Sequence, residues 1–319
     1  KPIQCTGILT HEIHKFLKMK NSFVVNKIKN AKVYAPNGKS ITVKFDKEDT
    51  IVDRTKFDSH LAEMAEKEGA KIFLKSKYKS NDGKELKIGN KRIKTDILIG
   101  ADGPHSRVAK NNGLWCNRKF VAGNQVVCEL DDLKKDTMEI WMGLGMFAWC
   151  VPESKNIGRV GVVSYDKANE HLKELMKIRC KGAKVLERQS GLIPIYNPRQ
   201  KLKKDFVYLV GDAATQVKST SYGGIVLGMK AANVLARNKK RYVLNCRKEV
   251  DKDLYLSKII RRTMDNFKIK DHNEFVKLVN QKRIKNILET KSRDYPSKML
   301  LELLIKEPRF MKFALKTLF

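Results

Sequence analysis

The chain is short of acidic residues and of long apolar runs, and both shortages narrow its possible roles. It holds 35 Asp and Glu against 66 Lys and Arg, which gives a formal net charge of +31. A surface of that sign attracts nucleic acid, anionic lipid or acidic partners. No apolar run reaches the roughly 18 residues that a membrane-spanning helix needs. We therefore expect a cytoplasmic protein that meets a membrane only peripherally.

Motifs for nucleic-acid binding and for metal binding are also missing. The basic residues are mostly lysines spread along the whole chain, and no basic repeat is interleaved with aromatics. This pattern favours a general lysine bias or an anionic membrane surface over specific nucleic-acid binding. The six cysteines contain no CxxC pair, which indicates a reducing compartment and not a disulfide framework. His11 and His14 flank Glu12, which is not a zinc-helix signature, and we expect no metal site.

What the chain does contain is a strand that ends in a glycine–aspartate turn and leads to a helix. Phe206 to Val210 is a short apolar run that predicts a buried strand, and Gly211-Asp212 follows it. Gly223-Gly224 then opens an apolar-periodic segment from Ile225 that predicts a helix. The Asp can accept hydrogen bonds from sugar or ribityl hydroxyls, and the first N–H groups of the helix suit an anion. The competing interpretation is an ordinary βα turn with a solvent-facing Asp.

A second stretch repeats this arrangement. Thr95 to Arg107 reads TDILIGADGPHSR, with a predicted strand, then Asp102-Gly103, then Ser106 and Arg107 entering a helix. Two such turns in one chain are much rarer than one, and together they favour a polyhydroxylated, anionic cofactor such as a flavin. Arg107 can pair with a phosphate in bidentate fashion; a surface helix arginine is the alternative.

At this point the chain resembles a known family. GADGPHSR and YLVGDAA…GGI resemble the paired motifs of flavoproteins with the p-hydroxybenzoate hydroxylase fold. Pro2 to Gly7 resembles the Pro-x-x-Cys-x-Gly motif of one branch, the geranylgeranyl reductases, and Val52 to Asp58 resembles that branch's Asp-Arg-x-x-Phe-Asp segment. The resemblance implies an α/β (α+β) fold, in which a Rossmann-like FAD-binding domain is interleaved with an antiparallel-sheet substrate domain. We place the FAD-binding domain at 1–115 and 201–245, the substrate domain at 116–200 and a C-terminal helical region at 246–319.

The resemblance also implies the cofactor site. The FAD contacts that it implies are Cys5, Thr6, Gly7, Arg54, Tyr78, Asp102, Gly103, Arg107, Asp212, Gly223, Gly224 and Ile225. Cys5 is the candidate catalytic residue, for positioning or protonation near the flavin ring, and a small buried thiol is the alternative. Arg54 is the family's flavin-side arginine by position, with an exposed helix arginine as the alternative. Tyr78 falls where the family's backbone touches the adenine.

A run of strands from Phe120 to Tyr165 predicts a second sheet that forms the substrate pocket. Phe147 to Pro152 resembles the reductases' Tyr-x-Trp-x-Phe-Pro motif, which implies substrate contacts from Phe147, Trp149 and Pro152. Phe147 lacks the hydroxyl of the family's Tyr, and Val151 in place of Phe widens the pocket. The alternative is that these aromatics are simply sheet core.

Other segments carry predictions of local structure. Between Ser22 and Asp53 four short alternating runs, with a hairpin turn at Asn37-Gly38, predict an antiparallel insertion. We predict a helix from Arg54 to Gly69 and a strand from Ala70 to Tyr78. The remaining predictions are hairpin turns at 81–83 and 89–90, a helix at 166–179, helices after Cys246, and a helix pair broken at Pro308 that packs in the core or lies on a membrane.

The dinucleotide fingerprint G-x-G-x-x-G, set in a βαβ unit of about 30 residues, is missing. Gly143 to Ala148 spells a similar string, but it runs into a predicted strand at Phe147 to Val151 and not into a helix, so we reject it. The simplest expectation is that the sequence is a fragment lacking its first few dozen residues. A natural truncation that binds FAD poorly is the alternative.

The leading functional expectation is an FAD-dependent reductase that saturates geranylgeranyl chains, by resemblance those of archaeal-type membrane lipids. Its electrons would come from NADPH, ferredoxin or a deazaflavin, and its partners would be a polyprenyl lipid and an anionic membrane surface. An aromatic monooxygenase on the same fold is the nearest rival. A non-catalytic basic protein that binds lipid or RNA is the third possibility. The sequence leaves the oligomeric state open.

Overall fold

Strands dominate the first two thirds of the chain and helices the remainder in the computed structural model, which describes residues 5–317. The strands are β1 (Ile8–Leu9), β2 (Val24–Tyr34), β3 (Ser40–Val52), β4 (Tyr78–Asp82), β5 (Glu85–Ile88), β6 (Lys91–Lys94), β7 (Leu98–Gly100), β8 (Phe120–Glu129), β9 (Thr137–Trp141), β10 (Phe147–Pro152), β11 (Ile157–Ser164), β12 (Val185–Pro194), β13 (Lys203–Lys204) and β14 (Val207–Leu209). The helices are α1 (Arg54–Lys67), α2 (Arg107–Asn111), α3 (Ala168–Arg179), α4 (Ile225–Arg237), α5 (Tyr242–Cys246), α6 (Lys252–Asp265), α7 (Ile269–Val279), α8 (Lys282–Thr290), α9 (Leu300–Lys306) and α10 (Met311–Ala314).

The chain divides into two units that interleave along the sequence. The first, here called the sheet unit, takes Lys1–Lys56, Val121–Leu192 and Leu256–Phe319. The second, here called the turn unit, takes Phe57–Phe120 and Ile193–Tyr255. The predicted α/β class and the helical C-terminal region are confirmed.

The sheet unit is built on eight strands in the order β1-β3-β2-β9-β10-β11-β8-β12. Strands β8 to β11 occupy the stretch that the alternation predicts, and they pair antiparallel through β9-β10, β10-β11 and β11-β8. Helix α3 covers one face, where Leu172 and Leu175 pack with Ala148, Cys150 and Val160. The apolar side of this predicted amphipathic helix therefore completes a core beneath the sheet.

Strands β2 and β3 differ from the predicted insertion in two ways. The four short runs form two long antiparallel strands, because irregularities after Val24 and Ile28 let β2 bend without ending. The hairpin turn at Asn37-Gly38 is confirmed. Strand β2 also runs parallel to β9, with Asn30 opposite Thr137, so the pair belongs to the large sheet. Period-two alternation identifies a strand but carries no information on its distant partner.

The C-terminal helices pack on the same sheet at strand β3. Val276 and Val279 of α7 share a core with Ile41 and Val43 of β3 and with Met142. The predicted break at Pro308 separates α9 from α10. Within the described part of the chain, no helix is both long and apolar enough to cross a membrane.

The turn unit has its own core, formed by β7, β14, α2, α4 and α5. Strands β14 and β7 pair in parallel, with Tyr208 opposite Ile99, and β4, β5 and β6 form a separate antiparallel sheet. The predicted strand from Ala70 to Tyr78 is wrong up to residue 77, and the regular strand begins only at Tyr78. Phe73 and Leu74 are 68% and 82% exposed, so their apolar character does not place them in a sheet.

Candidate functional site

The two glycine–aspartate turns lie side by side. Strands β7 and β14 are parallel neighbours, and the N–H of Val210 donates to the carbonyl of Gly100 at 3.0 Å, which carries the pairing to the strand ends. Asp102 and Asp212 therefore follow the same edge of one sheet. In α/β sheets ligands bind at the carboxyl ends of the strands, where loops converge. The two turns therefore lie next to each other within the turn unit.

Asp102 holds its own turn in place. Its Oδ2 accepts from the N–H of Arg107 at 2.7 Å and from the N–H of Val108 at 3.1 Å. The Ser106 hydroxyl adds a cap by accepting from Ala109 N–H at 2.9 Å. Side-chain acceptors at these positions satisfy N–H groups that a helix start leaves unpaired. The side chains of Asp102 and Arg107 remain exposed to solvent, so both can meet a ligand.

Asp212 packs against the start of α4. A Cβ added to Gly224 would lie 2.9 Å from Asp212 Oδ1, and one added to Gly228 would lie 3.4 Å from the Cα of Gly211. Glycine at Gly224 therefore allows the carboxylate to reach the helix N-terminus, where partial positive charge stabilises it. Ile225 is the first residue of the 13-residue helix, and the predicted glycine pair stands directly before it.

Gln216 fixes the shape of the second turn, and the sequence reasoning did not single it out. Gln216 Oε1 accepts from Gly211 N–H at 2.7 Å, and Gln216 Nε2 donates to Cys246 Sγ at 3.1 Å. The Tyr242 hydroxyl donates to the carbonyl of Leu209 at 2.7 Å. Burial raises the pKa of the Cys246 thiol to about 12, so the thiol stays neutral within this network. Hydrogen bonds from buried side chains therefore hold the second turn in one conformation.

Arg118 is a second residue that the sequence analysis missed, and it joins the two turns. Its Nη1 donates to the carbonyl of Pro104 at 2.9 Å and, at 3.4 Å, to the carbonyl of Asp212. Its Nη2 donates to the carbonyl of Ala213 at 2.5 Å and to Gln200 Oε1 at 3.2 Å. One guanidinium thus connects the backbone that follows Asp102 to the backbone that follows Gly211.

The surroundings of Arg118 show how this cation is accommodated. It is only 7% exposed, and its guanidinium lies 4.1 Å from the centre of the Trp115 ring. Burial lowers the pKa of Arg118, while Cys116 and the carboxylates of Asp102 and Asp212 act in the opposite direction. Since an arginine pKa is normally above 12, the group remains a cation. It sits in the field of both turn aspartates.

Tyr78 lies at the first residue of β4. Its hydroxyl donates to Asn81 Oδ1 and accepts from Asn112 Nδ2, the latter at 3.2 Å. Asn112 is the C-cap residue that directly follows α2. Tyr78 therefore ties the small antiparallel sheet to the helix of the first turn, and its place beside an adenine stays a prediction.

In the sheet unit, the loop from Cys5 to Gly7 is pinned by the backbone. Gly7 N–H donates to Cys5 Sγ at 3.3 Å, and the Gly7 carbonyl accepts from Val52 N–H at 2.9 Å. Arg159 Nη1 donates to the carbonyl of Thr6 at 2.6 Å. Gly7 has a φ of +74°, and a Cβ there would lie 2.4 Å from the Val52 carbonyl oxygen, so only glycine fits.

Gln125 connects this loop to the predicted substrate strand. Its Oε1 accepts from the Thr6 hydroxyl at 3.0 Å and from the Trp149 indole N–H at 3.4 Å. A Cβ at Gly161 would lie 2.4 Å from Trp149 Cζ2, so the indole rests on bare backbone of the neighbouring strand. The structure thus brings the motif-cysteine loop and the aromatic strand together. Pro2 to Gln4 of the predicted motif lie outside the described residues.

The three predicted substrate residues do not share one face of the sheet. Phe147 and Trp149 lie 5.9 Å apart between ring centres and are both partly exposed. Pro152 is buried, and its carbonyl accepts from Asn26 Nδ2 at 2.8 Å. Because strand side chains alternate, Pro152 belongs with Ala148 on the side that α3 covers.

Arg54, the last predicted cofactor residue, begins α1. Asp53 Oδ1 accepts from the N–H groups of Thr55 and Lys56 at 2.9 Å and 3.2 Å, which caps the helix start. Arg54 is half-buried.

In residues 5–317 no group of three or more His, Cys, Asp or Glu is arranged to hold a metal ion. All six cysteines are free thiols.

Comparison with known proteins gives named relatives but no matching family model. The chain is 33% identical over 254 residues to the digeranylgeranylglycerophospholipid reductase of Methanocaldococcus jannaschii, a match that covers 72% of this chain and 65% of that protein. Further relatives of the same name are 24% to 29% identical. The matches with the first two relatives cover 65% and 66% of those proteins' lengths. The resemblance to geranylgeranyl reductases is confirmed.

Solved structures agree on the fold. A geranylgeranyl bacteriochlorophyll reductase-like protein from Thermoplasma acidophilum superposes with a TM-score of 0.85 at 19% identity, covering 99% of this chain and 89% of that one. The flavin-dependent halogenase CmlS superposes with a TM-score of 0.62 at 14% identity, covering 88% and 65% of the two chains. At these identities the likeness concerns the fold alone.

Proposed function

We propose that this homologue of the digeranylgeranylglycerophospholipid reductases is itself an FAD-dependent reductase that saturates double bonds of geranylgeranyl chains. The observation that carries the proposal is the pair of aspartate-bearing turns at one sheet edge, joined by Arg118. An isolated trisubstituted alkene is poorly electrophilic. Bound FAD supplies the hydride equivalents when it is reduced, and the protein contributes binding, orientation and exclusion of water.

The turn unit offers groups that suit FAD. Asp212 has its carboxylate beside the N-terminus of α4, which fits a residue that accepts hydrogen bonds from ribityl hydroxyls. The glycine pair before Ile225 leaves the helix N–H groups open to a flat, partly anionic ring. Asp102, Gly103 and Arg107 would hold the cofactor's polar middle, since Arg107 can form a bidentate pair with phosphate.

The sheet unit offers an apolar, aromatic face for an isoprenoid chain. Phe147 and Trp149 are partly exposed on one side of β10, and Trp149 is oriented by the hydrogen bond to Gln125 at 3.4 Å. Burial of isoprenoid carbon against such side chains contributes about 25 cal/mol per Å² of apolar area. The protein would thus select its lipid substrate by the shape and hydrophobicity of the isoprenoid chain.

Cys5 would position the reacting alkene or donate the proton that its second carbon needs. The thiol already accepts a hydrogen bond from Gly7 N–H at 3.3 Å, which fixes its direction. Arg159 holds the same loop through the carbonyls of Cys5 and Thr6 at 3.3 Å and 2.6 Å. Electrons would reach the flavin from NADPH, ferredoxin or a deazaflavin. The substrate would be a membrane glycerophospholipid, met from the cytoplasmic side by a peripherally bound protein.

The proposal is tested by incubating FAD-loaded protein with a geranylgeranyl glycerophospholipid and dithionite under anaerobic conditions. Mass spectrometry should show a gain of two hydrogens for each double bond reduced. An Asp212→Ala protein should lose FAD and this activity together. Flavin-loaded protein that leaves the lipid mass unchanged would contradict the proposal.

Two other results would favour the competing functions. Insertion of oxygen into a phenolic substrate, with NADPH and air, would favour an aromatic monooxygenase. Full-length protein that is purified without yellow flavin absorbance and takes up no added FAD would favour a non-catalytic basic protein.

A further inference from the structure

The C-terminal segment from residue 298 to 316 presents apolar side chains to solvent. Leu301 and Ile305 are each 69% exposed, and Met311 and Leu315 are each 60% exposed. Leu301 and Ile305 are four residues apart on α9, so they lie on one side of that helix, and the same spacing relates Met311 to Leu315. We call these four residues the outer apolar surface.

The opposite side of this segment is already packed. Phe313 is 3% exposed, and its ring centre lies 4.9 Å from that of Phe267 and 6.0 Å from that of Phe275. Phe310 lies 5.8 Å from Phe275 in the same way. The phenylalanines thus anchor the segment on α7. The outer apolar surface adds nothing to this core, since its side chains point away into solvent.

Ion pairs hold the segment in place as well. Glu307 pairs with Arg309 at 2.7 Å and with Arg283 of α8 at 3.1 Å. Lys316 pairs with Asp271 of α7 at 3.1 Å. The outer apolar surface is therefore carried by a segment that is fixed at both its middle and its end.

The charge around the outer apolar surface is positive. Residues 298–316 contain five Lys or Arg and two Glu, so basic residues are in excess along the segment. Four of the five cations pair with carboxylates, namely Lys306 with Glu302, Arg309 with Glu307, Lys312 with Glu274 and Lys316 with Asp271. Ile269, the first residue of α7, is also 69% exposed and stands between Lys268 and Lys270. The two features that an interfacial helix combines, exposed apolar side chains and nearby lysines, occur together here.

We propose that the outer apolar surface docks on an anionic lipid bilayer. An anionic leaflet offers a negative potential to the lysines and a hydrocarbon boundary to the leucines. A second copy of the chain matches less well, because each carries a net charge of +31 and the copies repel. Nucleic acid would meet the lysines but would leave the apolar side chains in water. The proposal names the place of contact for the membrane association in the proposed function, on which it rests.

The test is flotation of the FAD-loaded protein with vesicles. One set contains phosphatidylcholine with phosphatidylglycerol, and the other contains phosphatidylcholine alone. We expect binding to the anionic vesicles that weakens with salt, and at least tenfold weaker binding to the neutral ones. The double variant Leu301→Asn with Ile305→Asn should bind anionic vesicles about tenfold less tightly or worse, since each loses apolar transfer energy.

A matched control uses similarly exposed apolar residues elsewhere, with Ile178→Asn on α3 and Leu244→Asn on α5. These should bind within about twofold of the unmodified protein, as surface changes away from the contact are nearly neutral. Lys306→Gln should weaken anionic binding about fivefold and reduce its salt dependence. Circular dichroism checks that every variant is folded.

Equal binding by the surface and control variants, or equal binding to both vesicle types, would overturn the proposal. The proposal would also be overturned if light scattering showed a dimer that dissociates in the surface variants while their vesicle binding stays unchanged. FAD titration of the same samples separates the two proposals. Protein that binds FAD but not vesicles contradicts only the docking surface, whereas protein that binds vesicles but no FAD contradicts only the reductase.

Discussion

Replacing Arg118 by methionine tests whether one buried guanidinium holds the two aspartate turns together. The change removes its hydrogen bonds to Pro104 and Ala213 carbonyls at 2.9 Å and 2.5 Å, and to Gln200 Oε1 at 3.2 Å. A hydrogen bond to a charged group contributes about 1.5–3 kcal/mol, and a buried acceptor left unpaired adds a further cost. Methionine retains the apolar length but cannot donate.

The net stabilisation is smaller than the sum of these hydrogen-bond contributions, because burying the guanidinium is itself unfavourable, as its lowered pKa indicates. We therefore expect Arg118→Met to lower the free energy of unfolding by about 3–5 kcal/mol, as when one partner of a buried charged contact is removed. FAD affinity should fall in the same variant, because the turns lose their common support. Arg118→Lys keeps the charge but loses the forked arrangement of N–H donors. Its free energy of unfolding and its FAD affinity should lie between those of the unmodified protein and of Arg118→Met.

Urea denaturation followed by tryptophan fluorescence measures the first effect, and quenching of FAD fluorescence measures the second. Arg107→Met is the matched control, because the Arg107 side chain is exposed. Its free energy of unfolding should stay within about 0.5 kcal/mol of that of the unmodified protein, while its affinity for FAD should fall about tenfold. The reasoning is refuted if Arg118→Met unfolds within about 1 kcal/mol of the unmodified protein, or if it is destabilised yet binds FAD equally well.

Three further changes address other contacts. Gly161→Ala puts a Cβ 2.4 Å from Trp149 Cζ2, and should destabilise the protein by about 1–3 kcal/mol; a change under about 0.5 kcal/mol in urea denaturation would contradict this packing. Gly224→Ala puts a Cβ 2.9 Å from Asp212 Oδ1, and should weaken FAD about tenfold in a fluorescence titration, whereas unchanged affinity would mean that the carboxylate position is unimportant. Burial, aided by Arg261, lowers the pKa of His272, so the unfolded chain, with a histidine pKa of about 6.5, takes up a proton before the folded one. The free energy of unfolding should fall as pH drops below about 6.5, and less so in His272→Gln; identical losses between pH 7.5 and about 5.5 in the two proteins would count against it.

The elements around the two glycine–aspartate turns were predictable because local signals agree there. An apolar run, a glycine and a periodic helix face occur in order from Phe206 to Arg237, and β14 and α4 form where they indicate. The same holds for β7 and α2, whose cap at Ser106 is a preferred residue. Such signals act within a few residues, so a single sequence contains them in full.

The contacts that shape the site were not predictable, because they join distant residues through backbone atoms. Arg118 reaches Ala213, and Gln125 reaches Thr6. A carbonyl acceptor is present at every residue, so nothing in the sequence marks which one an arginine will meet. Phe73 shows the opposite failure, since an apolar, strand-forming side chain stays 68% exposed. Propensity describes a local preference, and pairing decides whether a strand forms.

Equilibrium dialysis of FAD against the protein and against Asp212→Ala tests the central claim most directly. We expect one FAD bound per chain, and at least about tenfold weaker binding after Asp212→Ala, with folding unchanged by circular dichroism. Equal FAD affinity in the two proteins would contradict the role of the paired turns.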